Sequence, residues 1–297
     1  MEALFIGQTY IDVTMVADVI PSGDDKAVAK DYAISFGGNA VTAAFAAAKL
    51  GVAPDLLTSL AHDWLGRMFS DMAARYGVFL HPRPVKRSSL SFVIPNDGKR
   101  AILRARDDDY LHPFPNLNLS GCRILHLDGH QPDAALAYAK ACRHAGIATS
   151  LDGGGLRSNT HELLEFIDIA VVAERLCEQM ELTPREMLTY LHARGCRIGA
   201  VTLGERGLIW IDEKAATHAM PALAVPASRV IDTNGAGDIF HGAYVASWLA
   251  HPGAGFDEHF RFARAASAYS VQHLGNETSL PTLADIAAVR QEFEMAA

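Results

Sequence analysis

Asp238 stands third in a helical pattern that begins directly after Asp232-Thr233-Asn234-Gly235, with Gly235, Ala236 and Gly237 leading into it. Small residues at such a junction let backbone N–H groups point at a common centre, and the first-turn N–H groups of a helix have no carbonyl partner of their own. Together with the positive end of the helix dipole they make a site for an anion. A carboxylate in the same turn is favoured in its ionised form, which suits a general base that takes a proton from an attacking hydroxyl. An aspartate that merely caps a helix after a glycine turn has the same local pattern. A second junction, Phe36-Gly37-Gly38-Asn39, opens an alanine-rich helical pattern. There Gly37 and Gly38 allow backbone to approach a ligand, and Asn39 can both donate and accept.

Both junctions need a scaffold. Short apolar runs at Ala3–Ile6, Asp55–Leu60, Arg123–Leu127, Ile147–Leu151, Ile169–Val172 and Ile198–Leu203 alternate with helical patterns. The expected helices are Asn39–Leu50, Leu65–Tyr76, Asp133–His144, Pro184–Ala193, Ala236–Leu249 and Glu258–His273. That rhythm predicts an α/β fold with a mainly parallel sheet flanked by helices. Two stretches break it. Thr9–Ser35 alternates like a strand and then turns, and Ser89–Arg106 reads as a hairpin about Asn96-Asp97-Gly98. They are expected to form a small antiparallel sheet standing off the main one, a lid over about 9–35 and 84–107; an edge extension of the main sheet is the alternative.

The 297 residues are 49% hydrophobic, enough for a large core, which excludes a disordered or fibrous chain. A single domain over 1–297 is expected. A net charge of −8 disfavours a broad nucleic-acid-binding face. No run reaches the roughly 18 apolar residues of a membrane span, and the N-terminus has no basic region of a secretory signal. The four cysteines are scattered, without a C-x-x-C pair, so a reduced, cytoplasmic protein is expected. His126, His130 and His241 show no metal spacing and read as structural or surface groups.

Asp232–Asp238, DTNGAGD, resembles the DT-x-GAGD signature of the ribokinase-type (PfkB) carbohydrate kinases, and Gly37-Gly38 before an alanine-rich helix resembles their second signature. The resemblance spans the chain and implies a ribokinase-like fold and MgATP-dependent phosphorylation of a sugar hydroxyl. By the same resemblance Asp238 is the base, and Gly235, Ala236 and Gly237 form the anion hole. Asp12 matches the aspartate that binds sugar hydroxyls, with Gly37, Gly38, Asn39, Lys26 and Arg106 also on the substrate side. A carboxylate at Asp12 would favour neighbouring hydroxyl pairs. Thr42 stands where many relatives have asparagine. Thr202, Gly204 and Gly207 resemble the T-x-G-x-x-G segment beside the nucleotide, and Asn234, His273, Gly275 and Asn276 complete the implied ATP side. Relatives hold K⁺ near Asp232, where Gly275 and Ser279 are the matched places.

Three features depart from or refine the pattern. The N-x-x-E motif that organises Mg²⁺ is replaced by Ala173-Glu174-Arg175-Leu176, leaving Glu174 as an acid acting on the metal through water. Asp152 to Arg157 only loosely echoes D-x-N-x-R. Arg83, Lys86, Arg87, Arg100, Arg104 and Arg106 give the lid a basic excess, which either receives an anionic sugar or forms a solvated face. GGNAVTAAFAAAKLG and IFHGA are more similar to sulfofructose kinases than to ribokinases, which implies an anionic ketose derivative. Family analogy also implies a homodimer through the lid. A non-catalytic sugar or nucleotide sensor, or a kinase for a nucleoside or sugar acid, are the rival readings. A nicotinamide dehydrogenase would need G-x-G-x-x-G after the first strand, where Gly7 stands alone, and no Walker sequence occurs.

Overall fold

The computed structural model describes residues 1–96 and 99–294. Asp97 and Gly98, at the centre of the expected hairpin turn, lie outside the described residues. The first half of the chain forms β1 (Ala3–Gly7), β2 (Tyr10–Val16), β3 (Asp31–Gly37), α1 (Asn39–Lys49), β4 (Pro54–Ala61), α2 (Trp64–Tyr76), β5 (Phe79–Val85), β6 (Leu90–Asn96), β7 (Lys99–Ala105), β8 (Ile124–Leu127) and α3 (Pro132–His144). It continues with β9 (Ala148–Gly153), α4 (Thr160–Leu164), β10 (Ile169–Ala173), α5 (Glu174–Gln179), α6 (Pro184–Ala193), β11 (Ile198–Thr202), β12 (Leu208–Ile211) and β13 (Thr217–Met220). Three helices close it: α7 (Ala236–Ala250), α8 (Phe256–Ser270) and α9 (Leu283–Glu294).

Among the described residues the main sheet has nine strands in the order β13-β12-β11-β10-β9-β8-β1-β4-β5, parallel except for the β11–β12–β13 edge. From β1 the chain builds outward to β4 and β5, then crosses to β8 and builds the other way. The reversal falls between β1 and β8, and crevices outside the carboxyl ends of strands at such a point are where open α/β sheets bind ligands. One apolar core packs α1, α2, α7, α8 and α9 on one face of the sheet, and a second packs α3 to α6 on the other.

Strand β5 was not foreseen. Its sequence, FLHPRPV, breaks alternation with Pro82 and Pro84, yet both pair in register with β4. An edge strand accepts proline because one row of its N–H groups has no ladder partner to lose. The β12–β13 hairpin at the opposite edge was likewise missed.

A separate four-stranded sheet, ordered β3-β2-β6-β7, forms the lid. It is mixed rather than antiparallel as expected, because β2 and β6 run parallel. Each enters it from the carboxyl end of a parallel strand of the main sheet, β2 after β1 and β6 after β5, so both point the same way. Arg83 belongs to β5 and not to the lid.

Candidate active site

The turn before α7 is closed by Gly235 at φ +74°, where a Cβ would stand 2.3 Å from Asn276 Oδ1. Both the left-handed backbone and the lack of space require glycine. The helical ladder opens with Ile239 N donating to Gly235 O at 2.8 Å. The N–H groups of Ala236, Gly237 and Asp238 therefore precede the ladder, at the positive end of a 15-residue helix. Gly237 is exposed and Asp238 half-buried, so the turn faces outward.

What brings this turn to the other glycine junction is close packing of α7 on α1. A Cβ on Gly242 would meet Ala43 O at 2.3 Å and Ala46 Cβ at 2.7 Å. The alanines of α1 and the glycine of α7 let the two backbones approach, which sets both helix starts side by side. Gly38, at φ +105°, has its missing Cβ position 2.0 Å from Gln8 O, so this junction too sits tight against the end of β1.

Asp12 lies across from Ser35 in β3 and Ser91 in β6, and Ser91 lies across from Arg104 in β7. Register thus lines Ser35, Asp12, Ser91 and Arg104 along one face of the lid. Asp12 is 4% exposed, and Gly37 is glycine because any Cβ would touch its carboxylate at 2.3–2.5 Å. Asn234 Nδ2 and Asn276 Nδ2 both donate to Asp12 Oδ2, at 3.1 and 3.3 Å. Asp12 Oδ1 and Ser91 Oγ are buried without a hydrogen-bond partner among the described residues. Burial raises the Asp12 pKa, opposed first by the Ser91 hydroxyl, which lies near the carboxylate without a bond of full geometry, and then by Asn234, Arg104 and Asn276. Oδ2 is thus engaged by two amide donors, which leaves Oδ1 as the less engaged oxygen.

The floor of the crevice is polar and buried. At the end of β8, Asp128 Oδ2 accepts from Ala40 N at 3.2 Å and Oδ1 from His130 N at 2.9 Å. Burial would raise its pKa, but His130 and Arg157 override this and hold the carboxyl below its ordinary range. At the end of β9, Asp152 Oδ2 accepts from Asn39 Nδ2 at 3.1 Å. Desolvation pushes Asp152 up to about 7 and His241, in α7, down to about 3. Their 3.6 Å approach is therefore a contact with a neutral imidazole at neutral pH, not a salt bridge. Behind them His126 Nδ1 bonds Ser150 Oγ at 2.8 Å, and Ser150 bonds Tyr244. All three histidines are buried here, so the surface role considered for them is excluded. Asp128 and Ser91 escaped sequence reasoning; the available signal for Asp128 was its place just after a parallel strand.

Other expected residues fall around this centre with distinct surroundings. Thr202 ends β11 and Gly204, at φ +60°, starts an exposed turn. Gly207 is buried instead, its missing Cβ position 2.1 Å from Met220 O, so its glycine serves the chain crossing onto β13. Glu174 opens α5 and is ion-paired with Arg206 of the same turn. His273 stacks on Tyr269 with ring centroids 4.2 Å apart. Gly275 N and Asn234 N donate to the two oxygens of Asp232, at 3.1 and 2.8 Å, and Ser279 Oγ donates to Gly275 O at 2.7 Å. The amides of Asn234 and Asn276, expected at ATP, are turned to Asp12.

The basic excess divides. Arg83 makes a two-point contact with Asp133 at 2.7 and 2.6 Å, Lys86 pairs with Asp109 at 2.7 Å, and Arg106 with Asp108 at 3.0 Å. Lys26 and Arg87 are exposed, and the side chain of Arg100 lies outside the described residues. Arg104 alone of the six lies in the row with Asp12, and its guanidinium stands 5.1 Å from the centre of the Tyr10 ring.

A parallel sheet with its order reversal under a mixed-sheet lid, and a glycine turn carrying a first-turn carboxylate, define a ribokinase-like phosphotransferase that acts on an alcohol group. The chain belongs to the pfkB family carbohydrate kinases, whose model matches residues 2–283. It is 26% identical over 271 residues to a ribokinase of Haemophilus influenzae, covering 85% of this chain and 86% of that one. An ATP-dependent ribose-1-phosphate kinase of Halopiger xanaduensis is 27% identical, with 98% of this chain and 99% of that one covered. Among solved structures, Arabidopsis thaliana ribokinase complexed with ribose and ATP superposes with a TM-score of 0.82 at 24% identity, covering 97% and 98% of the two chains. No helix among the described residues is long and apolar enough to cross a membrane, and all four cysteines are unpaired and buried.

Proposed function

We propose that this protein transfers the γ-phosphoryl group of ATP to a primary hydroxyl of a small sugar bearing an anionic group, with Asp238 as general base. The observation that carries the reading is the joining of the α7 turn to the Asp12 row through Asn234, which sets a candidate anion cradle beside a candidate hydroxyl acceptor. Phosphoryl transfer needs donor and acceptor in line and charge neutralised more than it needs covalent help. Backbone N–H groups of Gly235, Ala236 and Gly237 would receive the charge that develops on the transferred group. Asp238 would take the proton from the acceptor oxygen, while Asp12 Oδ1 and the Asn39 carbonyl accept from other sugar hydroxyls. Gly37 and Gly38 bring backbone against the sugar.

Arg104 is the side chain favoured for the anionic substituent, because register aims it along the row that Asp12 occupies while Lys86 and Arg106 have carboxylate partners. Lys26, exposed on the lid loop, would close over the same end. On the nucleotide side Thr202, Gly204 and His273 would line the groove. Gly207, Gly275, Asn234 and Asn276 would shape it from behind.

Mg²⁺ would come with ATP and supply charge neutralisation at the phosphates. It would be held mainly by phosphate oxygens and water, as this ion commonly is. Glu174, paired to Arg206, fits contact through water rather than direct ligation. K⁺ activation is read from the loop that joins Asp232, Gly275 and Ser279.

The lid's other face carries Met15, Tyr32, Ile34, Phe92 and Leu103, all exposed, with Leu103 at 75%. An apolar row on that face favours pairing with a second copy through the lid, and light scattering showing a monomer would end that part of the reading. Single-domain behaviour over 1–297 and a reducing, cytoplasmic setting, in keeping with the free cysteines, complete it.

The test is ADP release across ribose, hexoses, ketose phosphates, sugar acids, nucleosides and sulfonated ketoses. Turnover restricted to anionic sugars supports the reading. Turnover with neutral sugars only removes the anionic substituent. ATP binding without ADP from any acceptor turns the protein into a sensor.

A further inference from the structure

Two asparagines from segments far apart in sequence meet at one oxygen. Asn234 precedes the α7 turn, and Asn276 follows α8 in the loop around Gly275. Each donates to Asp12 Oδ2, and Asn276 Nδ2 also donates to Phe36 O at 2.8 Å. Asn276 N donates to Ser35 Oγ at 3.2 Å, which ties the same loop to β3 at the lid root. Behind this node the two segments are joined again, since Asn234 N and Gly275 N share the carboxylate of Asp232. Gly235 closes directly over Asn276, with no room for a Cβ between them.

The consequence is mechanical and chemical. Asp12 is the lid's buried acid and Gly235 opens the anion cradle, yet a single amide contact separates them. An ordinary arrangement would leave Asp12 two free oxygens and the turn a free loop. Here neither shifts freely: moving Asp12 takes from the Asn234 amide its nearer acceptor and leaves Asn276 Nδ2 with Phe36 O alone, inside a buried site where a poorly paired polar group is costly.

We propose that Asn234 and Asn276 are positioning residues that make the lid carboxylate and the phosphate-side turn one unit, so that nucleotide bound at the turn orders the lid root. The proposal rests on the kinase reading above. Coupling between two sites of this kind commonly amounts to a factor of about 5–150 in affinity, and by reciprocity a sugar at Asp12 tightens the nucleotide by the same factor.

Hydrogen exchange with the non-hydrolysable analogue MgAMP-PNP tests it without knowing the sugar. Full-length protein should bind MgAMP-PNP and show slowed exchange at lid-root amides 11–13 and 35–37. The variants Asn234→Asp and Asn276→Asp keep shape but replace the donating amide by an acceptor facing Asp12. At MgAMP-PNP concentrations that saturate each variant, lid-root protection should fall at least fivefold relative to the saturated parent, the lower end of such coupling. Asn234→Leu and Asn276→Leu, close to asparagine in shape but without a donor or an added charge, should lose lid-root protection as the aspartate variants do; a packing role would leave protection intact in the leucine variants. Lid protection equal to the parent's in both aspartate variants overturns the proposal, as does a parent that binds MgAMP-PNP with no change at the lid. A parent that does not bind MgAMP-PNP overturns the kinase reading and this coupling with it. Melting curves confirm that each variant is folded, and the leucine variants, which have no donor and add no charge, carry the same comparison if an aspartate variant does not fold.

Discussion

The proposed phosphate side and the proposed sugar side of the crevice are built in opposite ways. The phosphate side is one contiguous turn, Gly235 to Asp238, whose donors are backbone and whose shape follows from a positive φ and the start of a helix. The proposed sugar side is assembled from the ends of β1, β8 and β9, the start of α1 and two lid strands, and most of its polar groups are side-chain carboxylates and amides. Backbone chemistry tolerates any neighbouring sequence that keeps the turn, so on the proposed reading it would serve whatever alcohol is presented. Side-chain chemistry at many separate positions is where one alcohol is told from another. The joint between the two is the α1–α7 contact and the asparagine node.

The sharpest way to break the comparison is to remove chemistry from the phosphate side alone. Asp238→Asn keeps size and helix while losing the base, and general-base action contributes about 10²–10⁴-fold. kcat should fall by at least the lower figure, with MgAMP-PNP affinity unchanged in calorimetry. Full turnover in the variant would move the base to another residue and dissolve the division.

A smaller effect is expected at the joint. Gly242→Val pushes a side chain into Ala43 O, 2.3 Å from the Cβ position, and a backbone carbonyl cannot swing away. Overpacking of this kind costs about 1–3 kcal/mol, read as a lower urea midpoint. Because both helix starts ride on this contact, kcat should fall as well. An unchanged midpoint would show that the two sides do not depend on the α1–α7 approach.

On the sugar side, Arg104→Gln should raise KM for an anionic acceptor by about tenfold, the scale of one charge-assisted hydrogen bond, and leave kcat nearly as it was. The same variant should not alter KM for a neutral acceptor. Equal effects on both would mean that Arg104 supports the lid through Tyr10 rather than meeting substrate.

The contrast between sides also explains what could be read from sequence. Asp238 and its glycines were legible because a turn and a helix start are local; so was the lid, whose hairpin strands alternate about a turn motif. Strand β5 was not, because Pro82 and Pro84 obscure its pattern and only its edge position permits them. Asp128 was not, since it becomes a floor residue only when β8 is inserted beside β1. Asn234 and Asn276 were placed at ATP on resemblance, and nothing local shows that both amides turn to an aspartate more than two hundred residues away. Residues whose role comes from strand order stay silent until the order is known.

The last test concerns the floor shared by both sides, where Asp152 of β9 faces His241 of α7. Asp152 is raised from 3.8 to about 7 by desolvation, so between these values the unfolded chain has lost a proton that the folded one keeps, and stability falls as pH rises. His241 is lowered from 6.5 to about 3, so over that span the unfolded chain holds a proton that the folded one lacks, and stability rises with pH. From about pH 4 to 6.5 the two slopes oppose, each at most about 1.4 kcal/mol per pH unit. Asp152→Asn should therefore make stability rise more steeply with pH in this window than in the parent, and His241→Gln should make it fall more steeply. Urea unfolding at pH 4.5, 5.5 and 6.5 reads both. Parallel curves for parent and variants would mean that water reaches the floor, and that the sugar side is less sealed than its buried carboxylates imply.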